Sequence, residues 1–274
     1  MHAARLAAEC KVPTNSNEAR LLAFYSAPIA FSPASAPEHS SAWTLRIGGE
    51  GGPIADPDSA IQRSSLCYTS KRENTRLSPF FGRPRLTLAL PGGFALEGSY
   101  LPPVKIGDAE PNLGSAALSW TKRIKMAPTG NATDLMVRVH GTFGQVRGPI
   151  TCPRKALQQT DPSKPCFGTQ QSVDTFKPNM MGVESVVSTA AWDGRLAFYV
   201  GAGANFLRPR FQVGFVDGLG NVDHTLITVD LTRLALFTGV TAEVSNAIDV
   251  SAQAYGVRED GVTFRFGAGY RLHR

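Results

Sequence analysis

Long apolar runs are what this chain most plainly lacks. Nowhere do its 274 residues reach the ~18 consecutive apolar positions of a membrane-crossing helix, so a helical membrane protein is excluded; a barrel strand needs only ~9–11 alternating residues and remains open. Charge is sparse at 18%. The net charge of +6 comes from Lys and Arg scattered among the segments, with no basic stripe interleaved with exposed aromatics, which argues against a nucleic-acid partner. The 4 cysteines are widely spaced and none forms a C-x-x-C pair, so a zinc site is not expected. Asp217, Asn221 and Asp223 miss the calcium-loop spacing and read as a turn. No Ser, His and acid set stands at a recognisable spacing, so no catalytic residue, metal or cofactor is assigned.

In abundance are 27 glycines and 19 prolines, which suit short strands joined by irregular loops, and strict alternation. From Gly261 onward, Val262, Phe264, Phe266, Ala268, Tyr270 and Leu272 oppose Thr263, Arg265, Gly267, Gly269 and Arg271. Period two marks a strand with one apolar and one polar face. Ile248, Val250, Ala252 and Ala254 oppose Asp249, Ser251, Gln253 and Tyr255 in the same way, and the short link after Val257 makes the two an antiparallel hairpin. About ten such segments follow one another from Ala42 to the end. One of the clearest sets Leu196, Phe198, Val200, Ala202, Ala204 and Phe206 against Ala197, Tyr199, Gly201, Gly203 and Asn205. Another, from Leu226 to Val244, slips frame near Arg233, which marks a bulge or the point where the strand leaves a bilayer. The inward glycine pairs 201/203 and 267/269 precede no helix, so they are not phosphate loops and instead leave room for long neighbouring side chains.

Two features decide the class. The apolar faces carry aromatics near their ends, and long connections alternate with tight turns such as Pro91 to Gly93 and Trp192 to Arg195, so long loops gather on one side and short turns on the other. On this pattern, residues 42 to 274 resemble a small, single-chain bacterial outer-membrane β-barrel protein. The resemblance implies an all-β, antiparallel, up-and-down transmembrane barrel of about ten strands, a monomer in outer-membrane lipid, with specificity for any external partner in its long loops. The family usually ends in an aromatic residue, whereas here the last aromatic is Tyr270.

Residues 1–40 differ from the rest. Arg20 precedes the apolar run Leu21 to Phe31, and Ala34-Ser-Ala36 offers small residues, which reads as a secretory signal cleaved near Ala36 or as a disordered leader, with residues 41–274 forming the barrel. Cys10 is a poor lipid-anchor site. Cys152 and Cys166 share one predicted external loop, where an oxidising compartment would let them bridge; free thiols or a pairing of either with Cys67 are the alternatives.

The polar faces supply Arg46, Glu50, Arg85, Glu97, Arg138, His140, Glu184, Arg233, Glu243, Asp249, Arg265 and Arg271 as a lumen charge network. His140 reads as a hydrogen-bonded lumen residue rather than a catalyst. Opposite charges in so narrow a space pair, because an unpaired buried charge is costly, and the expected interior is mostly closed. The expected role is therefore structural, adhesive or that of a narrow pore. A soluble lipocalin-like binder is the alternative, although it needs an apolar interior, and a barrel-embedded hydrolase or acyltransferase is a third.

Overall fold

The computed structural model describes residues 9–38, 40–62, 66–67, 77–125, 132–192 and 194–272. In chain order it contains β1 (Glu9–Lys11), α1 (Asn17–Ile29), β2 (Leu45–Pro53), β3 (Phe80–Ala89), β4 (Phe94–Leu101), β5 (Glu110–Lys125), β6 (Ala132–Gly148), β7 (Asp174–Lys177), β8 (Met180–Ala191) and β9 (Leu196–Leu207). Then come β10 (Arg210–Gln212), β11 (Phe215–Val216), β12 (Val222–Asp223), β13 (Leu226–Thr228), β14 (Leu231–Glu243), β15 (Ile248–Val257) and β16 (Gly261–Leu272).

Ten strands, β2 to β6, β8, β9 and β14 to β16, pair antiparallel with their neighbours, and β16 pairs back to β2. The barrel is closed. Closure follows from alternation: each strand has one face that water does not solvate well and an edge of unpaired N–H and C=O groups, and joining first strand to last removes the edges. Strands β2, β4, β6, β9 and β15 end at one mouth of the barrel, which carries the connections 102–109, 149–179, 208–230 and 258–260; β3, β5, β8, β14 and β16 end at the other, where 90–93 and 244–247 lie. The link 126–131 falls outside the described residues.

The outer wall is apolar. Phe94, Trp120, Phe198 and Tyr270 ring the short-turn end, Tyr100, Phe143, Phe206 and Phe264 ring the long-loop end, and Leu96, Val139, Val183, Val200, Leu236 and Val250 lie between, all exposed. A strand such as β9, with 12 residues, rises about 3.3 Å per residue and at a tilt of about 40° spans about 30 Å, enough for an apolar band of about 25 Å.

Three places depart from the sequence reading. The frame slip in 226–244 is a strand break: Leu226–Thr228 leaves the barrel to pair with β10 and β1, and the barrel strand restarts at Leu231. Above the barrel, β6 runs on past Thr142, where its partner changes from β8 to β7, and β7, β10, β13 and β1 continue that sheet over the long-loop end. Finally, residues 9–38 belong to the same packed unit. β1 joins the loop-end sheet, α1 caps the barrel, and residues 30–38 descend through the lumen towards the start of β2.

Candidate functional site: the occupied lumen

α1 forms where Ser16 caps it, its hydroxyl accepting from the Ala19 N–H at 3.1 Å, with Glu18 in the first turn. Its apolar residues Leu21 and Leu22 pack with Tyr25 against Ile150, Phe176, Phe211 and Ile227 of the loop end. Pro28 closes the helix and Pro33 and Pro37 keep the following stretch extended. These prolines have no N–H. The descending segment is thus poor in donors and rich in carbonyl acceptors, and the wall answers with donors.

Arg83 donates to the carbonyls of Ile29 at 2.9 Å and Ala30 at 2.7 Å, Arg85 to Ser32 at 2.8 Å, Arg138 to Phe31, and Arg265 to Ala27 at 2.8 Å. Lower down, Gln253 donates to the Pro33 carbonyl at 3.0 Å, Ser251 to that of Ala34, and Ser188 to that of Pro37 at 2.8 Å. Two contacts run the other way: the Ala36 N–H donates to the Thr241 hydroxyl at 2.8 Å and the Ser32 hydroxyl to Gln253 Oε1 at 3.0 Å. The Phe31 ring is fully buried, with the guanidinium carbons of Arg85, Arg83 and Arg138 at 4.1, 4.8 and 5.0 Å from its centroid.

Around this ring the charges alternate along the wall. Arg83 and Arg85 share Glu50, Arg85 and Arg138 share Glu97, and Arg138 and His140 share Glu184. Carboxylates that neutralise the arginines leave guanidinium N–H groups free to point inward, which is how they reach the segment. Near the short turns a second cluster joins Arg46 to Asp249 and Arg271 to Glu243, Asp249 and Glu38. At the long-loop end Arg233 pairs with Asp260 at 3.1 Å. Of the twelve residues proposed from the sequence as lumen charges, eleven fall into these three ion-paired groups, and the twelfth, Arg265, instead donates to Ser32 and to the Ala27 carbonyl.

Arg83, Asp260 and Phe31 were not singled out. Arg83 stands two residues before Arg85 and so shares its face, but Gly82 and Pro84 hide the alternation there. Phe31 lay in the apolar run read as a signal core. The interior is also less uniformly charged than expected: Val186, Tyr199, Phe237 and Tyr255 line one sector, Phe237 stacked on Tyr255 with centroids 5.8 Å apart. Gly201 and Gly239 face this sector, where a Cβ would collide with the Phe237 and Tyr199 rings.

The cysteines form two bridges. Cys152 pairs with Cys166 inside one loop, and Cys67 pairs with Cys10 rather than with either of them. The carboxylate of Asp217 accepts from the backbone N–H groups of Leu219 and Asn221, which makes 217–221 a turn.

An apolar outer wall with two aromatic rings, around a polar and charged lumen, is the inside-out arrangement that lipid requires and water does not. This is a closed, antiparallel ten-strand β-barrel of the membrane-spanning kind. No protein-family model matches the sequence, and no curated protein does. Among solved structures, the chain is similar to the transport unit of the autotransporter AIDA-I from Escherichia coli (10% identity, 94% of this chain and 98% of that one, TM-score 0.44). It is also similar to the outer membrane protease OmpT from Escherichia coli (7%, 84% and 94%, 0.43) and to Ail, the attachment invasion locus protein of Yersinia pestis (13%, 85% and 100%, 0.34).

Proposed function

We propose that this chain is a closed outer-membrane barrel with a structural or adhesive role, carrying its folded loop end at the external surface. The observation that supports this reading is the filled lumen: the carboxylates Glu50, Glu97 and Glu184 pair with Arg83, Arg85 and Arg138, and these arginines together with Arg265 donate to carbonyls of residues 27–32. A narrow-pore role would need an open path along these same groups. The loop end, by contrast, is an ordered platform, in which a short sheet and two disulfides hold the connections together. This role needs no cofactor, and the external partner would be met by the loops.

The test is planar-bilayer recording of the purified monomer. Small, brief conductance steps are expected; a large, steady conductance would overturn the closed-barrel role in favour of a pore.

A further inference from the structure

The first barrel strand begins at the short-turn end, at Leu45, yet β1 pairs in parallel with β13 at the long-loop end. The chain between them must cross the membrane through the lumen. The crossing stretch is bound almost entirely through its main chain. Wall donors serve the carbonyls of Ala27, Ile29, Ala30, Phe31, Ser32, Pro33, Ala34 and Pro37. Only Phe31, Ser32 and Glu38 add side-chain contacts. At its upper end the Cys10–Cys67 bridge fastens the segment to the long-loop side.

We propose that residues 9–38 remain part of the working protein and thread the lumen permanently, so that the barrel holds its own N-terminal portion outside the membrane while strands β2 and β16 start and finish on the inner side. This rests on the outer-membrane reading above and adds to it a function, the display of the chain ahead of α1. Carbonyl recognition suits that task. Donors aimed at carbonyls hold any extended polypeptide, whatever its side chains, so the wall can accept the segment as it is drawn in and then lock it when Phe31 reaches the arginines. Pro33 and Pro37 serve the same end, since each removes a donor for which the wall would otherwise have to supply an acceptor.

The experiment is a two-sided labelling of the full-length protein in cells, using a membrane-impermeant maleimide. Thr14→Cys lies in the exposed turn between β1 and α1, and Asn246→Cys in an exposed short turn. Labelling of Thr14→Cys on intact cells, with Asn246→Cys reached only after permeabilisation, is the expected result. Labelling of Thr14→Cys only after permeabilisation would overturn the proposal. Because an added thiol can disturb folding, unaltered protein from the outer-membrane fraction is also mapped without reductant. The expected finding is one disulfide-linked species carrying the Cys10 and Cys67 peptides; a mature chain starting after Ala36 would overturn the threading. Conductance of that same preparation then separates the two ideas. A shortened chain that stays closed sinks the threading alone, whereas a full-length chain that conducts steadily sinks the closed role alone.

Discussion

Phe31 is the residue on which the lumen closes. Its ring is buried under three guanidinium groups, each such contact worth about 0.5–2 kcal/mol depending on desolvation, and truncating a buried Phe generally costs about 3–5 kcal/mol. Phe31→Ala should therefore lower stability by about 3–5 kcal/mol in urea unfolding of the detergent-folded protein. A conservative Phe31→Tyr has no clear place for its hydroxyl among the arginines and should fall between the two. On the outer wall the sign of substitution reverses. Val250 faces lipid, and Val250→Arg should cost about 2–4 kcal/mol near the bilayer midplane, while Asn246→Arg in the exposed turn should cost almost nothing. The inward neighbour Ser251 is not a tolerant site, because its hydroxyl donates to Ala34 and its face is taken by the threaded segment. Equal effects at 250 and 246 in a folding titration would remove the lipid-facing assignment.

Among the elements, the loop end has its own organising group. The Asp174 carboxylate, fully buried, accepts from the Ile150 N–H at 2.8 Å, the Thr151 N–H at 2.6 Å, the Ser172 hydroxyl at 2.8 Å and the Gly214 N–H at 2.9 Å. It ties the 149–179 connection to the 208–230 connection. Asp174→Ala strands several buried donors, each costing about 1–3 kcal/mol, so both connections should become protease-sensitive while the barrel stays folded. The hairpin of β11 and β12 is held differently. The side chain of Asn221 and the backbone N–H groups of Asn221 and Leu219 hold the Asp217 carboxyl below its ordinary range. A depressed acid stabilises above its unfolded pKa and loses that contribution as pH falls through the folded one, so the hairpin should loosen only in strong acid, below the usual Asp range. Hydrogen exchange at Leu219 and Asn221 reads this directly. Asp217→Asn should abolish the pH step.

These elements also show what the sequence could and could not tell. Strands such as β9 and β16 were legible because lipid and lumen impose opposite chemistry on alternate residues, and the inward charges were legible for the same reason. β7, β10 and β13 were not, being three or four residues long and held by partners far away in the chain. Asp174 carries no local signal, since its donors come from three separate stretches. The segment at 17–38 was the hardest, because an apolar helix leading into proline and alanine satisfies a helix cap inside a barrel as well as it satisfies an export signal.

On the scale of the whole molecule two layers are joined at the barrel mouth, and they owe their stability to different things. The barrel is a closed ladder of long neighbouring strands, with no free edge at which unfolding can start. The loop end is short strands and irregular connections around a small apolar core that includes Ile150, Phe176, Phe211, Val213 and Ile227, and disulfides reinforce it. Cys152–Cys166 closes a separation of 14 residues, for which chain entropy gives about 3 kcal/mol; Cys10–Cys67 closes one of 57, giving about 4 kcal/mol on the same relation. Reduction should therefore separate the layers. With a strong reductant present, limited proteolysis is expected to cut within 149–179 and 208–230 first, while the strand-bearing remainder keeps the difference in gel mobility between heated and unheated samples that a folded barrel shows. The descending stretch 30–38 is fastened by Arg83, Arg85 and Arg138 above and by Gln253, Ser251 and Ser188 below rather than by sulfur, so it should stay protected as well. Simultaneous loss of the loop end and of heat-modifiability under reductant would mean that the two layers fold as one cooperative unit.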